Sequence, residues 1–202
     1  MYRTFGTPTD ANKWTLSVWS KLAPLTRFLE AGGSAGSEDL ISVGSGNPAS
    51  ANNYFWSRTS SSYNYSLIST QLFRDPSAWY HFVYVFDSSN ALSTERMKIY
   101  VNGQRMTDFS AETYPSLNYA SRINTAVEHR IGRNVYTSPA FYSDGYIAEM
   151  VFLDGQAYDP NFFGEFNDSG IWIPKDVSGL TFGNNGFYLK GADSSALGTD
   201  SS

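Results

Sequence analysis

The chain has 202 residues, with 14 Lys and Arg against 19 Asp and Glu, and no cysteine. The acidic balance disfavours a nucleic-acid binder, and the lack of cysteine excludes disulfides and thiolate zinc sites. Aromatic residues make up 16% of the chain and no apolar run approaches the ~20 residues of a membrane span, so we expect one large folded domain without membrane insertion.

The first half of the chain predicts β-strands separated by polar loops. Residues 14–18 alternate apolar and polar side chains, a period of two that is typical of a half-buried strand. Trp19 interrupts the polar face of that strand, which predicts that a second layer or a loop covers its end. Residues 31–62 are rich in Gly, Ser and Asn, so the apolar pieces at 40–43 and 54–56 predict short strands joined by long loops.

The middle of the chain gives the clearest strand pattern. Residues 79–86 carry no polar side chain except His81, which predicts a central strand covered on both faces. The alternating residues 97–101 lead into Asn102 and Gly103. Both central residues of a type I′ turn need positive φ, so this pair predicts a β-hairpin.

The second half adds one more apolar strand, at residues 146–153, which contains a single acid, Glu149. Asp159 as an N-cap and Pro160 at the first position predict one helical turn. The final residues, 191–202, are mainly Ser, Gly, Ala and Asp, and we interpret them as leading to a missing downstream region.

Three parts of the chain resemble the laminin-G-like, concanavalin A-like lectin and glucanase family. They are residues 14–19, residues 79–87 with 98–103, and residues 131–132 with 146–153. The resemblance implies an all-β fold, a two-sheet antiparallel jelly-roll β-sandwich over residues 1–163. It places nine apolar residues in one core between the sheets, namely Leu16, Val18, Phe82, Val83, Val85, Ile99, Val101, Ile147 and Val151.

The C-terminal part, residues 163–202, is similar to segments of tail-fibre and other virion structural proteins of tailed, often marine, phages. The resemblance implies a virion or extracellular location, and host-surface glycans or other virion proteins as partners. It also implies a homo-oligomer, since phage fibres are usually trimers. We expect residues 164–202 to form an extension packed on the sandwich, because free linkers seldom carry apolar groups such as Phe182, Phe187 and Leu189.

Catalytic residues are not evident in the sequence. Jelly-roll glucanases share a strand with two carboxylates on one face, whereas Glu149 is the only acid in the matching strand here. We expect His81 and His129 to be packed or hydrogen-bonded rather than catalytic. The preferred hypothesis is therefore a non-catalytic binding or adhesion module. A structural capsid, fibre or oligomerisation module is the alternative, and a glycan hydrolase or lyase the second alternative.

Aromatic loop residues beside amides and acids are typical of glycan sites, although alternating aromatic residues also occur in packed cores. The candidate ligand-binding residues are Asn53, Tyr54, Trp56, Tyr63, Tyr65, Asn134, Tyr136, Tyr142 and Asp144. Calcium needs only oxygen ligands, and Asp87 with Asn90 could supply them at a loop rim. Alternatively, both residues bond their own backbone in a turn.

Overall fold

The chain forms a β-sandwich of two antiparallel sheets, as the sequence predicts. The structure is a computed structural model that describes residues 1–34, 36–44, 50–60, 62–136 and 140–202. No helix in these described ranges is long and apolar enough to cross a membrane.

One sheet has seven strands, and its long members come from the segment with the most Gly, Ser and Asn. In spatial order they are β1 (Tyr2–Thr4), β11 (Glu128–Arg130), β3 (Leu25–Ser34), β4 (Ser37–Gly44), β5 (Asn52–Thr59), β6 (Ser62–Leu72) and β10 (Phe109–Thr113). The prediction of short strands and long loops was wrong for β4 and β5, because their Ser and Asn side chains alternate with core residues within the strands.

The other sheet has six strands, and a separate two-stranded hairpin lies on it. The six strands are, in order, β15 (Phe187–Leu189), β12 (Tyr146–Asp154), β2 (Lys13–Lys21), β7 (Trp79–Asp87), β8 (Met97–Val101) and β9 (Gln104–Arg105). The hairpin consists of β13 (Gly164–Phe166) and β14 (Trp172–Pro174). Residues 164–202 therefore supply both an edge strand of the sheet and this hairpin.

The main core lies between the two sheets, where the inner faces of β2 and β7 pack against the inner face of the seven-stranded sheet. Of the nine predicted core residues, Leu16, Val18, Phe82 and Ile99 are buried there, and Val101 and Ile147 pack against them.

The prediction of a single core was wrong for Val83, Val85 and Val151. These valines form a second cluster on the outer face of the six-stranded sheet, together with Phe163 and Tyr188. The reason is that β7 and β12 carry apolar side chains on both faces, and the chain after β12 covers the outer one.

Two turns have the backbone conformation and the capping contact that the sequence predicts. Asn102 and Gly103 have φ angles of 48° and 81°, as a type I′ hairpin requires. The Asp159 side chain accepts a hydrogen bond from the Asn161 N–H at 2.9 Å, at the start of a 3₁₀ turn over Pro160–Phe162.

Candidate functional site

A groove with a volume of about 290 Å³ lies on the outer face of the six-stranded sheet, beside the β13–β14 hairpin. It is lined by Trp19, Trp79, Ala148, Glu149, Trp172, Ile173 and Pro174. Three of the five tryptophans in the chain therefore meet at one place. Such convergence of aromatic side chains with a few polar groups is the usual composition of a ligand site.

Strand register explains why two of these tryptophans are neighbours. On β2, residues Leu16 and Val18 face the core, so Trp19 points to the outer face. Trp19 pairs with His81 on β7 and with Ala148 on β12, while Trp79 stands one row further along, opposite Lys21. Pairing across three strands thus brings together aromatic residues that are far apart in the sequence.

Glu149 enters the groove through a β-bulge. The register between β12 and β2 shifts between Ala148 and Val151, and Glu149 has a φ angle of 48°. This left-handed conformation normally favours glycine and costs a residue with a side chain about 1–2 kcal/mol. The Tyr188 hydroxyl on the neighbouring strand donates a hydrogen bond to Glu149 Oε2. Burial, followed by this contact with Glu149, raises the pKa of Tyr188.

His81 lies beneath the groove, with its uncharged ring between the rings of Trp19 and Trp172. Its ring stacks on Trp19 with centroids 4.8 Å apart and on Trp172 at 6.0 Å. Trp172 Nε1 donates to His81 Nδ1 at 2.9 Å, and an indole N–H can only donate, so the imidazole proton resides on Nε2, facing Ser17 Oγ at 2.8 Å. Burial lowers the pKa of His81 to about 3, so the histidine is uncharged at neutral pH.

Two glycines allow Trp172 to lie close to the backbone. A Cβ at Gly103 would lie 2.7 Å from Trp172 Cζ3, and one at Gly164 would lie 2.6 Å from Trp172 Cε2. The Phe166 ring then meets Trp172 edge-on, with centroids 4.9 Å apart. This wall of the groove is fixed by packing and by the bond to His81.

Trp79 is the tryptophan that a ligand can reach most easily. Its side chain is 44% exposed, whereas Trp19 and Trp172 are 8% and 9% exposed. The Lys21 Nζ lies 5.7 Å from the centroid of the Trp79 ring, a cation–π distance. Among the residues that the structure describes, Glu149 is the only ionisable one that lines the groove.

The first predicted cluster is divided between the two sides of the seven-stranded sheet. Asn53 and Tyr65 are fully buried in the core: Asn53 Nδ2 donates to the Tyr84 hydroxyl at 2.6 Å, and the Tyr65 hydroxyl donates to Asp39 Oδ2 at 2.9 Å. Both residues are corrected from ligand-binding candidates to core residues, since their side chains are buried where a ligand cannot reach them.

The outward-facing members of this cluster do come together. Tyr54 and Trp56 alternate with the core residue Phe55 on β5, so they lie on the outer face of the seven-stranded sheet. Tyr63 meets the Trp56 ring edge-on at 5.7 Å, and the Arg58 guanidinium lies 5.1 Å above the same ring. Since Trp56 is only 9% exposed, the protein's own side chains occupy most of its surface.

The second predicted cluster lies in the loop between β11 and β12, of which residues 137–139 lie outside the described residues. Asn134 is buried and its Oδ1 accepts a hydrogen bond from the Phe141 N–H at 2.9 Å, which orders the loop. Tyr136 is half-buried, whereas Tyr142 and Asp144 are exposed. These residues therefore do not share a cavity with the groove.

The two proposed calcium ligands lie in one turn. Asp87 Oδ1 accepts from the Ser89 N–H at 3.2 Å, and Asn90 Oδ1 accepts from the Leu92 N–H at 3.0 Å. These bonds match the turn interpretation. Across the described ranges, the structure contains no group of three or more His, Asp or Glu side chains arranged to hold a metal ion.

Sequence reasoning missed the groove because its residues come from four separate segments. The signals were present individually: Trp19 on an otherwise polar strand face, Trp79 at the start of an apolar strand, and Glu149 as a single acid among apolar neighbours. Trp172 lies in a segment whose strands are only three residues long, where periodicity carries no information.

A family profile described as the concanavalin A-like lectin/glucanases superfamily matches residues 3–157. The chain belongs to this superfamily. No curated protein matches its sequence.

Two solved structures share the fold. A proposed carbohydrate binding protein of Bacteroides ovatus is 16% identical with a TM-score of 0.51, and the match covers 94% of this chain and 48% of that one. The chain thus spans about half the length of that protein. The CBM40 of the Ruminococcus gnavus IT-sialidase is 11% identical with a TM-score of 0.52, covering 80% of this chain and 95% of that one. At such identities the likeness shows the fold.

Proposed function

We propose that this chain is a non-catalytic glycan-binding module, and that the tryptophan-lined groove is its binding site. The observation that carries the proposal is the convergence of Trp19, Trp79 and Trp172 with Glu149 in one open groove. The names of two structures that share its fold, one a proposed carbohydrate binding protein and the other a CBM40, add support.

The chemistry of the groove suits a sugar ring. The exposed face of Trp79 offers a flat apolar surface for the C–H groups of a pyranose, and the Glu149 carboxylate can accept hydrogen bonds from its hydroxyls. The groove volume, about 290 Å³, lies at the lower end of the roughly 300–1,000 Å³ range of ligand pockets. One sugar residue, or the end of a glycan chain, is the ligand of matching size.

The same lining argues against glycoside hydrolysis at this place. Retaining and inverting glycosidases use two carboxyl groups on either side of the scissile bond, about 5–10 Å apart. Within the described part of the chain, Glu149 is the only carboxylate that lines the groove. We therefore expect the protein to bind glycans without cleaving them.

A binding experiment with two matched variants tests the proposal. We expect a glycan array followed by calorimetry to identify a ligand, and Trp79→Ala to weaken its binding at least tenfold because the stacking surface is lost. Tyr2→Ala is the control, since Tyr2 is also exposed but lies on the other sheet. The proposal is wrong if folded protein binds no glycan, or if both variants bind as well as the wild type.

We further propose that the module belongs to a phage virion appendage and acts outside the host cell. The support is the similarity of residues 163–202 to tail-fibre and virion structural proteins. Mass spectrometry of purified virions, with immunogold labelling of the tail, tests this location. Absence of the protein from purified particles would contradict it.

One observation favours a structural module as the second candidate. Tyr146, Phe166 and Ile171, near the groove, are 70%, 54% and 59% exposed. Apolar groups of this kind are often covered in an oligomer, such as a trimer of this chain. Light scattering with acrylamide quenching separates the two: a stable trimer that shields Trp79 favours the structural role, and a monomer with accessible Trp79 favours ligand binding.

A further inference from the structure

We propose that the groove selects glycans that carry a protonated amino group over neutral and acidic glycans of the same size. The ligand class is thus a hexosamine with a free amine, presented as a terminal or internal residue of an oligosaccharide. This inference rests on the proposed function and names the substrate class of the same groove.

The first argument is the state of the Glu149 carboxylate. Its Oε2 accepts the hydrogen bond from the Tyr188 hydroxyl. Its Oε1 receives no hydrogen bond from the residues that the structure describes, and no arginine or lysine forms an ion pair with it there. One carboxylate oxygen is therefore available to a ligand.

The second argument is the apolar environment of this carboxylate. The other groove residues are tryptophan, alanine, isoleucine and proline, none of which carries a charge. Because an apolar wall lowers the local dielectric, an ammonium group next to Glu149 gains more energy than it would in water. A ligand carboxylate or sulfate next to Glu149 would meet repulsion from it, and Lys21, which lies over Trp79 at the groove mouth, forms no ion pair with Glu149.

The third argument is that the mouth of the groove already accommodates an ammonium group. Lys21 Nζ lies 5.7 Å from the centroid of the Trp79 ring, so a tryptophan at the groove mouth already contacts a cation. Tryptophan faces attract cations, and those of the groove add to the attraction by Glu149.

The fourth argument is that the left-handed backbone conformation of Glu149 costs conformational free energy. Glycine would adopt the φ angle of 48° without strain, yet the chain places a charged side chain there. Strain of this kind persists where the surrounding structure enforces it, commonly at binding sites. In this groove the strained residue is also the one that supplies the charge.

The test compares three probes of equal length by calorimetry: fully deacetylated glucosamine oligomers, N-acetylglucosamine oligomers and oligogalacturonate. We expect the wild type to bind the deacetylated oligomer at least tenfold more tightly than the acetylated one, and to bind oligogalacturonate least. The preference falls when the pH is raised until the amine loses its proton.

Glu149→Gln keeps the shape of the side chain and removes its charge, so we expect the affinity ratio between deacetylated and acetylated oligomers to fall close to one. Glu95→Gln is the matched control, because it makes the same change of net charge at a residue that lies outside the groove lining. This control keeps the tenfold ratio.

Each result has a definite meaning. Equal affinities in the wild type, or a preference that survives Glu149→Gln, overturn the selection for amines. If Trp79→Ala lowers all affinities while the wild type shows no preference, the glycan site stands and only this inference fails. If Trp79→Ala changes no affinity, the proposed site itself fails. Choline or polylysine binding as tightly as the aminated oligomer would make the groove a general ammonium site and overturn its assignment to a sugar.

Discussion

The outer face of the seven-stranded sheet and the groove on the six-stranded sheet differ in how their carboxylates are paired. On the seven-stranded sheet, three carboxylates each form an ion pair with an arginine; the pairs are Arg27–Glu30, Arg58–Glu38 and Arg130–Glu128. On the six-stranded sheet, the groove holds one carboxylate, Glu149, without a cationic partner among the lining residues. The three carboxylates on the first face are held in ion pairs within the protein, whereas Glu149 Oε1 accepts no hydrogen bond from the described residues.

The covering layers explain the difference. The loop after β11 closes part of the seven-stranded sheet, where the Val135 N–H donates to Glu30 Oε1 at 3.0 Å and both residues are buried. The hairpin on the six-stranded sheet covers His81 but leaves Trp79 open. A tryptophan on an outer face thus stays exposed only where the next layer does not cover it.

The largest expected effect comes from breaking a buried ion pair on the closed face. Arg27→Met removes the cation next to Glu30, which is fully buried, and should lower the free energy of unfolding by about 3–5 kcal/mol at pH 7. Burial already raises the pKa of Glu30 against the opposing effect of Arg27, so the loss of stability should be smaller at pH 4.5 than at pH 7, because a larger fraction of Glu30 is neutral at the lower pH. Urea denaturation at pH 7 and at pH 4.5 measures this loss in the free energy of unfolding.

The control for this change is Arg105→Met, which breaks the more exposed pair with Glu95 and should cost less than about 1 kcal/mol. Equal losses for the two variants would mean that burial of the Arg27–Glu30 pair does not matter, and the contrast between the faces would lose its energetic basis.

Acidification should destabilise the protein through two buried histidines. Burial lowers the pKa of His81 to about 3 and that of His129 to about 4, from about 6.5 in the unfolded chain. The unfolded state therefore binds more protons, and the stability that is present above pH 6.5 is lost as the pH falls. We expect the melting temperature to drop on the order of 5–10 °C between pH 7 and 4.5.

His129→Gln separates the two contributions, because His129 stacks on Phe5 away from the groove, whereas His81 lies beneath it. The acid-induced drop should become smaller in this variant, and the remaining part belongs to His81. An unchanged pH profile would show that His129 keeps an ordinary pKa in the folded state.

A change at the groove wall should have a moderate effect. Gly164→Ala places a methyl group 2.6 Å from the Trp172 ring, so the indole must move. We expect a loss of about 1–3 kcal/mol in stability, together with weaker glycan binding. Gly179→Ala, where no atom lies within 4 Å of the new methyl group, should change stability by less than about 0.5 kcal/mol. Thermal unfolding and calorimetry of the two variants check the pair.

The smallest effect concerns the bulge. Glu149→Gly relieves the left-handed strain, so we expect stability equal to the wild type or higher by up to about 1 kcal/mol, with the preference for amines abolished. Thr113→Gly, at an ordinary exposed strand position, should instead lose about 0.5–1 kcal/mol. A clear loss of stability in Glu149→Gly would mean that its bond to Tyr188 outweighs the strain.

The amino-acid sequence by itself determined the local features whose chemistry is contained in a few residues. Alternation at 14–18 predicted β2, the Asn102–Gly103 pair predicted its hairpin, and Asp159 with Pro160 predicted a single helical turn. The resemblance predicted the sandwich. In each case the deciding interactions lie between residues close in the chain, or in an order of segments that can be compared directly.

Only the tertiary structure decided which aromatic residues line the groove and which are buried. Asn53 and Trp56 are three residues apart, so strand alternation places them on opposite faces of the sheet. Alternation does not tell which face is covered, and the structure shows Asn53 in the core and Trp56 on the outer face. The groove joins Trp19, Trp79 and Trp172 through strand register and two close glycine contacts, which depend on pairing between distant segments. Periodicity reports a side chain's face, whereas exposure depends on what the rest of the chain places over it.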